Sequence, residues 1–274
     1  MTEGDVIGIY REERFSPGKV EDDRAIIDLV AAELRKAGVA VRMLEGDRLP
    51  RLEARPALVF AMCQSAAALG WLDEAAKRTS VVNHPEAIRG CYRTNLVERL
   101  ARAGVPQPRW VLGGERFPKS FGRGPWLKRG DVHAMEAGDV RRVFTQDDWV
   151  RMTAEFKRRG IARAIVQEHV EGAVYKFYGV KGEFFRAYGL PAGEEDRASA
   201  LAERGAAALG LEVYGGDGVR AADGSLTLID FNDWPSFSRC RTGAARAIGR
   251  RLMEKMASGC GLQAAGKAPG PCSP

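Results

Sequence analysis

The chain has 274 residues, 45% of them hydrophobic and 28% charged, a composition that builds a packed core and excludes a disordered or fibrous protein. At this length two packed units are expected rather than one. A formal charge of +6 would suit a polyanion, but the arginines are spread through amphipathic segments instead of forming a basic run, which argues against nucleic acid and for a pocket that takes small anions.

The N-terminal stretch MTEGDVIGIYREE lacks the apolar segment of a signal peptide, and no run of eighteen apolar residues occurs to cross a bilayer, so a cytoplasmic protein without a membrane partner is expected. DVIGIY reads as a buried strand, and Arg24 to Ala37 as a helix with Ile27, Val30, Ala31 and Leu34 on one face, ended by Gly38. VAVRML and ARPALVFAMC read as strands, LGWLDEAAKR as a helix and SVVN as a strand. That alternation favours a small parallel sheet covered by helices. From Pro85 the stretch EAIRGCYRTNLVERLARAG reads as one continuous helix that stops at Gly104, with Pro106 beyond it.

PRWVLG and PWLKRG then read as short strands, and TQDDWVRMTAEFKRRG as a helix capped by Thr145 and stopped by Gly160. AIVQEHV follows as a strand, and VYKFYGVKGEFFRAYGL as a strand pair turning at Val180–Glu183. After the helix DRASALAERGAAALGLE, the strands LEVYGGDGVR and SLTLIDFND are joined by the turn AADG. A last helix is expected from about Ala244 to Ala257, and a disordered tail without function from 261. There is no internal repeat. The five cysteines, Cys63, Cys91, Cys240, Cys260 and Cys272, have no zinc or redox spacing and read as free thiols.

The C-terminal strand pair carries the chemistry. Side chains alternate faces along a strand, so Asp230 and Asn232 point the same way while Phe231 points into the core. Pairing about the AADG turn brings Asp217 toward both. Two carboxylate oxygens and an amide oxygen on one face suit magnesium, which takes oxygen ligands and shares them with phosphates. The same residues also suit ordinary strand ends and turns.

With these residues, the sequence resembles the ATP-grasp superfamily from about residue 83 to 251. The resemblance implies an ATP-grasp fold of α+β lobes behind a small parallel α/β domain. The domains would be 1–84 on the acceptor side, 85–260 holding ATP, with 107–170 as lid lobe and 171–260 as C-terminal lobe, and 261–274 as tail. Arg93 stands where the family more often has a lysine, at the start of the helix leading to an AGxPxP-like turn. Lys128 in PWLKRG matches the lysine that reaches the α and β phosphates. Gln167, Glu168 and the backbone of His169 and Val170 match the segment that meets adenine and ribose. Lys176 and Arg186 match catalytic cations near the phosphates, and Asp217, Asp230 and Asn232 match the ligands of magnesium, or manganese in its place.

One departure is the segment after Lys128, RGDVHAMEAGDV, where many members have a glycine-rich flap; only Gly130 and Gly138 are present. Here the chain is more similar to ATP-grasp inositol polyphosphate kinases than to peptide-forming ligases. His133, Arg239 and Arg241 are candidate contacts to an anionic acceptor, each with a plain loop role as its alternative. His84 and the His169 side chain read as structural, and Trp234 and Phe237 as packing or acceptor contacts. Lys128 sits in an apolar strand, where a lysine is costly to bury without an anion. No serine, histidine and acid form a legible triad.

The implied activity is a carboxylate–amine ligase that phosphorylates an anionic small molecule or peptide. A small-molecule kinase and an ATP-binding module without turnover are the alternatives, and a homodimer is allowed.

Overall fold

The structure is a computed structural model that describes residues 4–113, 117, 119–122, 124–133 and 135–264, with 259–264 described as backbone. The N-terminal unit contains β1 (Val6–Tyr10), α1 (Val20–Lys36), β2 (Val41–Glu45), β3 (Leu58–Ala61), α2 (Ala66–Ala76) and β4 (Ser80–Val82). Its sheet has the order β2-β1-β3-β4 and is parallel throughout. Helices covering both faces explain why β3 is apolar at every position and fully buried. The helix α1 begins four residues before the expected Arg24, because Glu21, Asp22 and Asp23 fill its first turn and complement the helix dipole.

The continuous helix expected from Pro85 is two helices, α3 (Pro85–Gly90) and α4 (Arg93–Arg102). Tyr92 is extended (φ −62°, ψ 129°) and breaks the run. The Asn95 side chain donates to Arg89 O at 2.8 Å, adding to the tight-turn bond from Tyr92 N at 3.2 Å at a carbonyl that a continuous helix would have paired with Arg93 N. The interruption makes Arg93 the first residue of a new helix and turns it inward, leaving it 5% exposed.

The central lobe holds β5 (Trp110–Leu112), β6 (Trp126–Arg129), β7 (Val140–Arg142), α5 (Gln146–Arg158) and β8 (Ala164–Gln167). These strands form an antiparallel sheet in the order β5-β8-β6-β7. The helix α5 lays Trp149, Met152 and Phe156 on Leu127 and Val166, and the Thr145 hydroxyl caps it by accepting from Asp148 N at 3.0 Å.

The C-terminal lobe holds β9 (Ala173–Val180), β10 (Phe184–Tyr188), α6 (Glu195–Leu209), β11 (Val213–Arg220), β12 (Leu226–Asp233) and α7 (Arg241–Ala264). Its antiparallel sheet has the order β10-β9-β11-β12. Both expected turns are present: Gly182 takes φ 71° between β9 and β10, and Ala221 bonds Ser225 across the AADG turn. One face of the sheet lays Tyr175, Phe177 and Phe231 on α6 and α4. The helix α7 runs from Arg241 to Ala264, longer at both ends than the expected 244–257. Residues 261–264, expected as tail, are therefore helical; Leu262, Gln263 and Ala264 are good helix formers with no proline before Pro269. The rest of the expected tail, 265–274, lies outside the described residues.

A shared core and a polar clamp help join the N-terminal unit to the C-terminal lobe. Ile26, Ile27, Val30 and Phe60 share one core with Tyr178, Val213, Trp234, Phe237 and Ile248. Trp234 and Phe237 are fully buried at positive φ (41° and 49°), so of their two readings the packing one holds. Asn83 adds a polar clamp: Nδ2 donates to Val213 O at 2.7 Å, and Oδ1 accepts from Glu212 N and Val213 N at 2.8 and 3.0 Å. Cys63, Cys91 and Cys240 are free thiols; the Cys260 side chain and Cys272 lie outside the described residues. Among the described residues no helix is long and apolar enough to cross a membrane.

The clamp generates a test of how the units are held. Asn83→Ala removes three hydrogen bonds and strands buried backbone groups, so it is expected to cost about 2–3 kcal/mol. Urea unfolding checks this: the midpoint falls while the slope stays constant.

Candidate active site

The site is built on the register of the C-terminal sheet. Lys176 on β9 pairs with Asp217 on β11, and Asp217 pairs with Asp230 on β12. Directly paired residues project to the same face, so Lys176, Asp217 and Asp230 form one row across three strands. The next row places Tyr178, Gly215 and Asn232 beside it. A β-bulge between Asp217 and Gly218 adds local twist at the row. Asp217 and Asp230 are thus mid-strand residues with a fixed orientation, not strand-end turn residues.

Two cations from other units meet this row. Arg93, at the start of α4, places Nη2 3.2 Å from Asp230 Oδ2, and Lys128 on β6 donates from Nζ to Ile229 O at 3.1 Å. On the sheet itself, Lys176 Nζ lies 2.8 Å from Asp217 Oδ1. Burial alone would raise the Asp230 carboxyl, but Arg93 and Lys128 hold it below the ordinary carboxylate range. Burial lowers the Lys128 ammonium to about 8 even with Asp230 beside it. Arg93 is the more exacting group: its Nε and Nη1 are buried without a partner.

These residues line a cavity of about 230 Å³ between the sheet and the central lobe. Val170, Val174, Val219 and Ile229 supply apolar walls, Arg93, Lys128, Asp217 and Asp230 charge one end, and Gln167, Glu168 and His169 line it from the end of β8 and the segment that links the lobes. Arg109 grips Glu168 through two 2.7 Å bonds. His169 Nδ1 accepts from Trp126 Nε1 at 3.1 Å, fixing the ring and supporting its structural reading. Arg93, Lys128, Gln167, Glu168, His169 and Val170 are therefore brought together as the resemblance implied.

A second cavity of about 280 Å³ adjoins the first and is lined by Lys176, Tyr178, Asn232, Asp233 and His133, with Arg11 and Gln64 from the N-terminal unit. Asp217 and Asp230 face the first cavity and Asn232 the second, so the three expected metal ligands stand at the boundary. Among the described residues no group of three or more His, Cys, Asp and Glu could cage a metal. Two carboxylates and one amide oxygen nevertheless fit a cation that completes its shell with water and phosphate oxygens, as magnesium does.

Three expected site residues lie elsewhere. Arg186 is on the sheet's edge strand, its side chain 57% exposed and bonded to Phe185 O at 2.8 Å, and it lines neither cavity. Being one strand beyond Lys176, it reaches toward Glu195 at 3.9 Å instead. Arg239 stacks over the Tyr188 ring at 5.2 Å. Arg241 pairs with Asp22 at 2.6 Å, tying the start of α7 to α1. Of the expected acceptor contacts, only His133 lines either of these two cavities.

The segment Gly130–Val143 is tied down rather than glycine-rich and free; Ala134 lies outside the described residues. Asp139 is fully buried, accepts from Met135 N at 2.7 Å and Glu136 N at 3.2 Å, and pairs with Arg159. Sequence reasoning missed Asp233, Gln64 and Arg11. Gln64 follows the carboxyl end of β3, where parallel sheets place ligand sites, a signal that could have found it. Arg11 Nε donates to Met62 O at 3.1 Å and Nη2 to Trp234 O at 2.9 Å, holding the loop after β12.

No protein-family model matches the sequence, and no curated protein matches it. Solved structures do match. The ATP-grasp ligase PsnB, in complex with the precursor peptide PsnA2 and AMPPNP, is 18% identical with a TM-score of 0.63, over 93% of this chain and 99% of that one. D-alanyl-alanine synthetase A from Vibrio cholerae is 11% identical with a TM-score of 0.70, over 94% and 99%. A RimK domain protein ATP-grasp from Sphaerobacter thermophilus is 19% identical with a TM-score of 0.67, over 90% and 99%. The chain has the ATP-grasp fold, as its motifs implied.

The Lys128 ammonium gives a signed pH dependence. Unfolded, the group keeps its ordinary 10.5; folded it titrates near 8. Between these values the unfolded chain binds the extra proton, so the group makes stability rise with pH there, and below about 8 its charge is a full cost. An anion beside Lys128 restores the charge. ATP binding near pH 9 is therefore expected to take up close to one proton, and Lys128→Met to abolish that uptake. Calorimetry in two buffers of different ionisation enthalpy measures it.

Proposed function

We propose that this protein binds magnesium-ATP between its central and C-terminal lobes and uses it to activate a carboxylate for ligation to an amine. The observation that carries the reading is Arg93: a guanidinium 5% exposed, with two buried nitrogens unpartnered, facing a charged cavity. A buried unsatisfied donor costs about 1–3 kcal/mol, which an anion placed there would recover. Lys128, whose charge burial makes costly beside Arg93, asks for the same partner. Phosphate oxygens meet both needs. The apolar walls and the Gln167–Val170 segment leave the other end of the cavity suited to a purine ring and its sugar.

The residues then divide the work. Arg93 and Lys128 would grip phosphates from above the sheet, while Asp217, Asp230 and Asn232 would hold a divalent cation from the sheet. That cation, when bound, neutralises charge on the terminal phosphates. Lys176, at the boundary of the two cavities, would stabilise the phosphoryl group as it passes to a carboxylate in the second one. Such transfer depends on positioning and electrostatics, with no nucleophile required of the protein. The ligase reading over a kinase is supported by the neighbours, since PsnB and D-alanyl-alanine synthetase A are named as ligase and synthetase. PsnB's complex with a precursor peptide keeps a peptide acceptor in view beside a small molecule.

The double variant Asp230→Ala, Asn232→Ala is expected to weaken magnesium-dependent ATP binding by tenfold or more, about 1.4 kcal/mol. Isothermal titration with and without magnesium measures it, and equal affinities in wild type and variant would remove the metal site. Free phosphate and a hydroxylamine-trapped acyl group would separate a ligase from a kinase, which leaves its phosphoryl group on the product.

A further inference from the structure

Ligation to an amine leaves one task unassigned: near neutral pH an amine is largely an ammonium ion, and it must lose a proton before it can attack. Of the other ionisable groups lining the second cavity, Lys176 is paired with Asp217 at 2.8 Å, Arg11 and Asp23 are paired with each other at 3.1 Å, and Lys19 is an exposed cation at the rim.

His133 differs. It lies on the loop after β6, its side chain 21% exposed toward the cavity, with Nε2 3.0 Å from Asp233 Oδ1. Asp233 is 2% exposed, and Gln64 Nε2 donates to both its oxygens at 3.0 and 2.8 Å. A carboxylate gripped in this way accepts, so the histidine Nε2 donates, and in the neutral ring the lone pair lies on Nδ1. The Tyr92 ring meets the imidazole edge-on at 6.2 Å. Among the described residues Nδ1 has no hydrogen-bond partner.

We propose that His133, oriented by Asp233, is the proton acceptor for the attacking amine in the second cavity. The inference rests on the carboxylate–amine reading. The ammonium gives one proton to Nδ1. The freed lone pair attacks the acyl phosphate carbon; a C–N bond forms, the C–O bond to phosphate breaks, and phosphate leaves with that electron pair and takes the second nitrogen proton. The imidazolium later returns its proton to water. The charged groups facing the ring are Asp233 and Asp230 of β12 and, lining the same cavity, Lys176 of β9, Lys19 just before α1, Asp23 of α1 and Arg11 after β1, with the Tyr92 ring against it.

The chain has three histidines, so nitrogen-15 NMR assigns His133 once His84 and His169 are substituted singly. The neutral ring is expected to carry its proton on Nε2; a proton on Nδ1 overturns the proposal. The reaction test offers the protein magnesium-ATP and each proteinogenic amino acid as carboxylate, with either hydroxylamine or the amino acid's own amine as nucleophile. Hydroxylamine is already neutral near pH 7 and needs no base, whereas the ammonium does. His133→Gln keeps a donor for Asp233 but cannot take a proton. It is expected to lower the amide-to-hydroxamate ratio by about 100-fold near pH 7, and the deficit closes as pH rises toward 10. A ratio equal to wild type at every pH, or loss of both products together with ATP binding, overturns the role of His133. No hydroxamate from wild type that still binds magnesium-ATP overturns the carboxylate reading itself, and the role of His133 with it.

Discussion

Asp230 constrains the rest of the structure. It is a carboxylate in the interior of a sheet face, tolerable only because positive charge is brought to it from two other units, by Arg93 and by Lys128. Neither cation is local in sequence, and neither is comfortable on its own: Lys128 is 7% exposed and bonded to a backbone oxygen, and Arg93 keeps two nitrogens unpartnered. Asp217 and Asp230 supply two negative charges and Arg93, Lys128 and Lys176 three positive ones. The cluster therefore carries one positive charge in excess, which favours an anion in the cavity.

The break between α3 and α4 serves that constraint. A continuous helix from Pro85 to Gly104 would satisfy the local pattern better, and the sequence reads that way. The extended Tyr92 and the Asn95 bond to Arg89 O interrupt it, and the interruption places Arg93 opposite Asp230. Here tertiary electrostatics overrides local propensity, as expected where function and fold compete. The fully buried Trp234 and Phe237 at positive φ mark a similar compromise beside the second cavity.

What was legible in the sequence was local or periodic. Alternation along β12 puts Asp230 and Asn232 on one face from spacing alone, but Asp217 joins them only through the bulge beside it, since pairing counted straight from the AADG turn would set Asp217 opposite Ile229. Lys128 could be suspected because an apolar strand surrounds it. Arg186, Arg239 and Arg241 were misplaced because motif order says nothing of which strand forms the sheet edge or which cation finds a nearby carboxylate. Asp233, Gln64 and Arg11 were invisible for a different reason. Gln64 meets Asp233 across 169 residues and Arg11 meets Trp234 across 223, and such contacts exist only once the N-terminal unit has docked.

The two ion pairs at the site are unequal, and the inequality suggests how it works. Arg93 and Asp230 have side chains only 6% and 21% exposed, so separating them would strand buried charge. Lys176 is 45% exposed and Asp217 27%, and a pair so open to solvent contributes about 0–1 kcal/mol. A divalent cation held at Asp217 would therefore displace Lys176 at little cost, whereas Arg93 would stay and gain partners for its idle nitrogens. Lys176 stands between the two cavities, so under the proposed function its release would put a mobile ammonium at the place where a phosphoryl group would cross from one to the other.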